Sequence, residues 1–299
     1  MYENLSGLGS SGKNDIIPLI RAPRRIIKPR LMTSRGIFFD CDCLLLLQNL
    51  KDNSIDCIFA DPPFNLGKKY SECFRDRLPE KEYLEWSYKW MKECYRVLKP
   101  GGAIFIYIIP KWGYHFASFL DTQLGLSFRH WIAMSMKSTY RRGKRLYPAH
   151  YGLLYFTKGK PRVFRKIRTP IPLCRHCQRE IKDYGGHRKH INKKGLNLTD
   201  FWDDTSPNRH KNSKFRKANE LKPIIPERAI NISTRKNDIV LDMFGGSGCT
   251  YEICENNSRF WIGSEIGSCM AIRSRMKKYS SKCDGLPEKI LGLFKSSHP

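Results

Sequence analysis

The chain has 299 residues, 54 of them lysine or arginine and 28 acidic, so its formal net charge is +26. A charge this large favours a polyanionic partner such as DNA or RNA, and a basic membrane-surface protein is disfavoured because no basic amphipathic helix stands out. Hydrophobic residues make up 40%, which argues against wholesale disorder. The sequence has no recognisable signal peptide and no apolar run close to the roughly 20 residues that span a membrane. These features predict a cytoplasmic protein with no membrane partner.

The first half of the sequence has α/β patterning that follows a basic N-terminal arm at residues 1–34. Short apolar runs bounded by turn residues are typical of buried parallel strands, and apolar residues that recur at helical spacing predict the helices between them. Strands are predicted at 36–40, 55–60, 103–109, 128–136 and 151–157, and helices at 44–50, 79–98 and 116–124. Residues 35–157 are therefore predicted to form the first half of an α/β domain.

The pattern changes at residue 158, where basic residues, glycine, asparagine and histidine replace the regular spacing as far as 218. This segment is predicted to be an insertion with a role of its own. The α/β pattern returns over 219–280 and predicts the second half of the same domain, and 281–299 are predicted to be a C-terminal tail. The elements predicted in this second half are helices at 226–234 and 250–256 and strands at 238–242 and 259–265.

A glycine-rich turn, Phe244-Gly245-Gly246-Ser247-Gly248, follows the predicted strand that ends at Asp242. A strand, a glycine turn and a helix in this order bring the backbone close to a nucleotide-like ligand. Glu265 ends the next strand, where a carboxylate can accept hydrogen bonds from ribose hydroxyls. The alternative is an ordinary tight strand-to-helix turn. The acidic residue on the neighbouring strand favours ligand binding.

A second motif, Asp61-Pro62-Pro63-Phe64, directly follows the predicted strand at 55–60. Ligands of open α/β sheets bind at the carboxyl ends of strands. The two prolines stiffen the backbone and lack N–H donors, which leaves the carbonyl of Pro62 available as an acceptor. The Pro62 carbonyl, the Asp61 carboxylate and the flat Phe64 ring together suit an exocyclic amino group on a planar base. A proline turn with a helix-capping aspartate is the alternative.

These two motifs resemble those of the DNA adenine-N6 and cytosine-N4 methyltransferases. In that family DPP(Y/F/W) is the catalytic motif and F-x-G-x-G binds S-adenosylmethionine. The catalytic motif comes first here, which resembles the beta subgroup, a circularly permuted form of the Rossmann-like methyltransferase fold. The segments FFD at 38–40 and NELKP at 219–223 extend the resemblance over most of residues 35–270.

The resemblance implies site-specific methyl transfer from S-adenosylmethionine to adenine N6 in double-stranded DNA, on a base flipped out of the duplex. Asp61 and the Pro62 carbonyl would accept the amino hydrogens, and Phe64 would stack on the base. The implied cofactor-binding residues are Asp40, Lys222, Asp242, Phe244, Gly245, Gly246, Gly248 and Glu265. Aspartate at the first motif position favours adenine, because relatives that act on cytosine usually have serine there. Cytosine N4 is the first alternative, followed by a non-catalytic nucleic-acid-binding protein of the same fold and by an RNA or protein methyltransferase.

The insertion contains a cysteine pair, Cys174 and Cys177, and a histidine pair, His187 and His190. Two cysteines and two histidines can form a closed tetrahedral site for a structural zinc ion. Two free thiols in a DNA-contacting loop, with histidines near phosphates, are the alternative. The other cysteines mostly occur singly in apolar segments, and without a secretory signal no disulfide framework is expected.

Four basic clusters, interleaved with aromatic residues, predict that the insertion and its surroundings recognise DNA. The alternative for any single cluster is a solvated surface. The clusters are at 141–145, 162–168, 188–194 and 209–217, and the aromatic residues are Tyr140, Tyr147, Tyr184, Phe201 and Trp202. The resemblance also implies a restriction–modification system with a cognate endonuclease as partner, and it leaves both a monomer and a homodimer open.

Overall fold

The computed structural model describes most of the two predicted domain halves and part of the predicted insertion. The described residues are 27–67, 69–71, 74–136, 144, 146, 148–171, 173–174, 176–179, 185–186, 188–190, 192, 194–205, 220–280 and 288–294. The helices are α1 Cys43–Asn49, α2 Glu80–Val97, α3 Pro110–Ser118, α4 Ile224–Ser233, α5 Cys249–Asn256, α6 Met270–Ser280 and α7 Glu288–Leu291. The strands are β1 Pro29–Met32, β2 Gly36–Asp40, β3 Ile55–Ala60, β4 Lys69–Ser71, β5 Phe74–Arg75, β6 Leu98–Ile108, β7 Ser127–Ser135, β8 His150–Thr157, β9 Arg168–Thr169, β10 Leu196–Asn197, β11 Phe201–Trp202, β12 Ile239–Asp242 and β13 Phe260–Glu265.

Nine of these strands form one mixed sheet in the order β1-β2-β13-β12-β3-β6-β8-β7-β11. The strands from β2 to β6 are parallel to one another, and β8 runs antiparallel to both β6 and β7. The strands nearest the C-terminus, β12 and β13, therefore lie in the middle of the sheet, between strands from the first half of the chain. This arrangement is the circularly permuted, Rossmann-like methyltransferase fold that the order of the motifs predicts.

The point at which the strand order reverses lies between β3 and β12. From β12 the chain passes through α5 to β13 on one side, and from β3 it passes through α2 to β6 on the other. Open α/β sheets bind their ligands at the carboxyl ends of strands next to such a reversal. Both sequence motifs follow these two strands, so the fold brings them to the same edge.

The core explains why the central elements form where the sequence predicts them. Every residue of β3 is buried, as expected for a strand covered on both faces. On α2 the buried residues recur at helical spacing and include Tyr83, Trp86, Trp90 and Cys94. No helix in the described part of the chain is long and apolar enough to cross a membrane.

Several element boundaries differ from the sequence-based predictions. Strand β6 begins at Leu98, whereas the sequence predicts a strand from residue 103. The earlier start follows from backbone hydrogen bonds of Gly101 and Gly102 with Lys158, which continue the ladder between β6 and β8. Helix α3 begins at Pro110 instead of residue 116, since proline fits the first turn of a helix. A π-helical turn at Phe119–Gln123 then ends it.

The predicted N-terminal arm and C-terminal tail both contribute to the packed domain. β1 pairs antiparallel with β2 and extends the sheet by one strand. In the tail, Ile290 is fully buried, and the Phe294 ring packs edge-on against Phe39 at 5.4 Å between ring centroids. Short apolar segments of this kind carry little periodic signal, which is why the sequence did not predict them.

A cluster of charges joins the start of the predicted insertion to the amino end of the central strands. The Asp56 carboxylate is 4% exposed and accepts bonds from Lys99 at 2.9 Å, from Arg162 at 3.0 Å and from the N–H of Ile239 at 2.9 Å. Arg162 also pairs with Asp238 at 2.6 Å. Arg162 was predicted to belong to a DNA-contacting cluster, but the structure uses it to hold the sheet together.

We expect Asp56→Ala to lower the free energy of unfolding by about 3 kcal/mol, because it leaves the partly buried Lys99 without its carboxylate and the buried N–H of Ile239 without an acceptor. Asp52→Ala is the matched control, since Asp52 pairs with Arg96 and its side chain is 63% exposed. The control should lose less than about 1 kcal/mol. Urea unfolding of both variants measures the difference, and equal losses would contradict a structural role for the Asp56 cluster.

Candidate active site

Asp61-Pro62-Pro63-Phe64 leaves the carboxyl end of β3 as a rigid, non-helical segment, because each proline fixes one φ angle. Tyr83 of α2 donates its hydroxyl to the carbonyl of Pro63 at 2.7 Å. Trp112 of α3 donates its indole N–H to the carbonyl of Phe64 at 2.7 Å. Two helices therefore fix the second half of this segment.

The first half of the segment presents hydrogen-bond acceptors. Asp61 is half-buried and Pro62 is buried. Among the described residues, no donor bonds to the carbonyl of Pro62. A carboxylate and a carbonyl can together accept two hydrogens, the number that a primary amino group offers.

Phe64 belongs to a cluster of three aromatic rings beside these acceptors. Its ring centroid lies 5.7 Å from that of Tyr107 and 5.8 Å from that of Tyr151, and the two tyrosine rings are 5.0 Å apart. Tyr107 is near the carboxyl end of β6, and Tyr151 is near the start of the antiparallel β8. Both therefore lie at the active edge, which is the edge of the sheet at which the two sequence motifs lie. Stacking of Phe64 on a base stays a prediction, and the structure adds that only 7% of its surface is exposed.

The two tyrosines were missed by the sequence analysis, although the end of one predicted strand and the start of another contain them. Burial raises the pKa of Tyr107 well above its usual value, and the negative charge of Asp61 raises it further. The Tyr107 hydroxyl is therefore protonated at neutral pH and remains a hydrogen-bond donor next to the Asp61 carboxylate.

The glycine turn between β12 and α5 has a conformation that requires its glycines. Gly246 and Gly248 have φ angles of 54° and 77°, in the left-handed region that favours glycine. A Cβ on Gly245 would lie 2.2 Å from the Tyr251 hydroxyl oxygen, which is closer than two non-bonded atoms can approach. The three glycines predicted to bind the cofactor are thus each needed to form the turn.

Two carboxylates hold this turn in place. Glu265, at the end of β13, accepts the N–H of Gly246 at 2.7 Å and that of Gly267 at 3.1 Å. Asp242, at the end of β12, accepts the N–H of Phe244 at 3.0 Å. Burial raises the pKa of Asp242 to about 7, and the negative charge of Glu265 contributes to the shift.

The other predicted cofactor residues occupy different surroundings. Asp40 is exposed at the end of β2 and lies opposite Glu265 in the strand register. Phe244 packs edge-on against Trp86 and Trp90 of α2, with ring centroids 6.0 and 5.4 Å away. The structure thus brings Asp40, Phe244 and the carboxylates to one edge. Lys222, in contrast, donates its ammonium group to the carbonyl of Asp204 at 3.2 Å.

Arg275 of α6 is a further residue at this site that the sequence analysis missed. Its buried guanidinium donates to the carbonyl of Ser247 in the glycine turn at 2.9 Å and to Glu252 of α5 at 2.6 Å, and it also pairs with Glu220. It therefore connects the turn to the start of the segment before α4. A lone arginine in a basic helix gives no signal of such a role.

The predicted zinc site is only partly described. Hydrogen bonds from Cys177 and from the backbone of His176 lower the pKa of Cys174, so the cysteines are close to one another. Within the parts of the chain that are described, no group of three or more potential ligands could hold a metal ion. His187 lies outside those parts. The zinc site remains a prediction based on sequence spacing.

The predicted DNA-recognition residues are only partly described. Phe201 is 57% exposed, as expected of a contact residue, but Trp202 is 1% exposed. Trp202 packs under the guanidinium of Arg228, 5.1 Å from the ring centroid. Trp202 is part of the core, since β11 pairs with β7 at the end of the main sheet. Tyr140, Tyr147, Tyr184 and residues 209–217 lie outside the described residues.

The family model for DNA methylases, which covers N6 and N4 methyltransferases, matches residues 55–271 of this chain. The chain belongs to the DNA methylase family. It is 49% identical over 252 residues to the type II methyltransferase M.BamHI of Bacillus amyloliquefaciens. The match covers 84% of this chain but only 59% of M.BamHI, so the chain spans well under the full length of that relative.

Two solved structures have the same fold. The PvuII DNA methyltransferase, described as cytosine-N4-specific, is 20% identical with a TM-score of 0.63, and the alignment covers 89% of this chain and 94% of that one. The complex of M1.HpyAVI with S-adenosylmethionine is 21% identical with a TM-score of 0.53, and the alignment covers 81% of this chain and 98% of that one.

We expect Asp242→Asn to change how stability depends on pH. The pKa of about 7 in the folded protein lies above the usual aspartate value of 3.8, so ionisation of Asp242 opposes folding. Its contribution to stability is present at acidic pH and is lost as the pH rises towards 7. The wild type should therefore lose stability relative to the variant between about pH 4 and pH 7, and the difference should stay constant above about pH 8. Urea unfolding across this range measures it, and parallel curves would contradict the raised pKa.

Proposed function

We propose that this protein is an S-adenosylmethionine-dependent DNA methyltransferase that methylates an exocyclic amino group of a flipped base in double-stranded DNA. The observation that carries the proposal is the pair of acceptors at the end of β3, Asp61 and the Pro62 carbonyl, held beside the glycine turn that follows β12. Membership of the DNA methylase family supports the same reaction.

The residues around the glycine turn suit S-adenosylmethionine, which supplies an electrophilic methyl group on a positively charged sulfur. Although the chain has a net charge of +26, its active edge is acidic, with the carboxyl groups of Asp40, Asp61 and Glu265 at the ends of three of the parallel strands. Negative charge at this edge favours a cationic ligand. The Asp40 and Glu265 carboxylates can accept hydrogen bonds from hydroxyl groups, which a ribose offers. The similarity to the M1.HpyAVI complex with S-adenosylmethionine supports this assignment.

The acceptor pair explains how a weak nucleophile can react. The lone pair of an amino group on a base is delocalised into the ring, so the nitrogen attacks poorly. Hydrogen bonds from both amino hydrogens to Asp61 and to the Pro62 carbonyl favour a pyramidal nitrogen with an available lone pair. Because the acceptors are fixed before the reaction, no reorganisation is needed as positive charge develops on the nitrogen. The methyl group would pass from the sulfur of S-adenosylmethionine to this nitrogen, so that a nitrogen–carbon bond would replace the carbon–sulfur bond, and the nitrogen would then lose one proton to solvent.

The target base is proposed to be adenine, on the strength of the aspartate at position 61, with cytosine as the alternative. Both bases present a primary amino group on a planar ring, so the acceptor pair and the aromatic cluster suit either. The type II relatives support action on DNA within a restriction–modification system. We propose DNA as the partner on this basis and leave a homodimer and a cognate endonuclease as predictions.

Incubation with unmethylated duplex DNA and labelled S-adenosylmethionine, followed by digestion to nucleosides, tests the proposal. N6-methyldeoxyadenosine is the expected product. Detection of N4-methyldeoxycytidine instead would show that the target base is cytosine. DNA that stays unlabelled after incubation with a folded sample would contradict both assignments.

Asp61→Ala tests the role of the acceptor pair in the same assay. Loss of a fixed hydrogen-bond partner should lower the rate of methyl transfer about 100- to 1000-fold. Cofactor affinity, measured by calorimetry, should change little because Asp61 belongs to the part of the site that is proposed to bind the base. Asp121→Ala is the matched control, since Asp121 is exposed in the π-helical turn after α3. An Asp61→Ala variant with wild-type activity would contradict the mechanism.

A further inference from the structure

A basic cavity lies between the edge strand β1 and helix α6. It is shallow and open to solvent, with a volume of about 480 Å³, and its lining consists of the basic residues Arg30, Arg273 and Lys277, the serines Ser274 and Ser280, and the apolar residues Leu31 and Met32. None of the residues that line it is acidic. A concave surface with several cations and hydroxyl donors is suited to an anion with several oxygen atoms.

Arg30, Arg273 and Lys277 are exposed, and within the described parts of the chain no carboxylate pairs with any of them. Several arginines of the domain that are buried or half-buried are instead paired with nearby carboxylates. Those pairs are Arg96 with Glu93 and Asp52, Arg162 with Asp56 and Asp238, Arg228 with Asp204, and Arg275 with Glu220 and Glu252. The cavity thus retains uncompensated positive charge, which favours a negatively charged ligand.

The position of the cavity relates it to the active edge. Pro29, directly before Arg30, lies opposite Phe39, one residue before the end of β2. Arg273 lies in the first turn of α6, shortly after Glu265. Arg30 and Arg273 therefore lie towards the edge of the sheet that holds the candidate active site.

The sheet also sets the distance between the two sites. β1 lies four strands from β3 in the sheet order, which corresponds to roughly 19 Å at about 4.8 Å per strand. Along B-form DNA that distance is about six base pairs at roughly 3.4 Å per base pair. A duplex that lies along the active edge, with its target base at Asp61, would place backbone phosphates close to the cavity.

We propose that this cavity binds the phosphodiester backbone of DNA about six base pairs from the flipped base. The inference rests on the proposed function, and it adds a second DNA contact on the cofactor side of the domain, away from the predicted recognition insertion. The contact is independent of base sequence, because phosphate contacts position the duplex and carry no sequence information directly.

The test compares two triple variants that remove the same number of charges. One variant is Arg30→Gln, Arg273→Gln and Lys277→Gln. The matched control is Lys89→Gln, Lys92→Gln and Lys236→Gln, which changes exposed lysines on α2 and in the turn before β12. Binding of a duplex of about 30 base pairs is followed by fluorescence anisotropy over a series of salt concentrations, and circular dichroism checks that each protein is folded.

The cavity variant should reduce the slope of log affinity against log salt by about 2 to 3, since each lost phosphate contact removes roughly 0.9. Its affinity at physiological salt should fall by about tenfold or more, whereas the control should change the slope by less than about 1. The charge-conserving variant Arg30→Lys with Arg273→Lys should keep the wild-type slope.

Equal slopes for the cavity variant and the control would overturn the proposal. It would also be overturned if the cavity variant bound DNA like the wild type but lost affinity for inorganic phosphate, since the site would then take a free anion. Methyl transfer by the wild type is measured on the same samples. If the wild type binds DNA but transfers no methyl group, the proposed function is contradicted, while the comparison of slopes is unaffected.

Discussion

The parallel pairing of β3 with β12 is the constraint on which the rest of the site depends. Residues 57–58 lie beside residues 240–241 in this pairing, although more than 180 positions separate them in the chain. The carboxyl ends of both strands therefore reach the same edge, which places Asp61 and the glycine turn next to one another. Helix α2, strand β6 and the strands beyond it are all arranged around this central pair.

Electrostatics follow from the same arrangement. Four adjacent strands end in or lead directly into a carboxylate, so a strongly basic chain has an acidic centre at its active edge. The surroundings of these groups differ: burial raises the pKa of Asp242 to about 7, and Glu265 accepts hydrogen bonds from backbone N–H groups of the turn. The basic surface outside this centre suits a DNA backbone, and the acidic centre suits a cationic cofactor.

Most of the fold and the edge with the two motifs could be predicted from the sequence, because buried parallel strands have compact apolar runs and their ends are marked by polar motifs. The structure confirms strands at 36–40 and 55–60 without any shift. What could not be predicted depends on partners that are distant in the chain. Arg162 and Trp202 look like parts of a DNA surface until their contacts with Asp56 and Arg228 are known. Tyr107 and Tyr151 are hidden in apolar strands, and only the antiparallel register of β6 and β8 places them beside Phe64.

The central claim is that Asp61 and the carbonyl of Pro62 receive the amino group of a flipped base. A crystal structure of the protein with duplex DNA and S-adenosylhomocysteine, the demethylated product of the cofactor, measures this most directly. We expect the amino nitrogen of the target base within about 3 Å of both a carboxylate oxygen of Asp61 and the carbonyl oxygen of Pro62, with the product's sulfur on the other side of the nitrogen. A target base bound in the pocket with its amino group directed away from both acceptors would contradict the account.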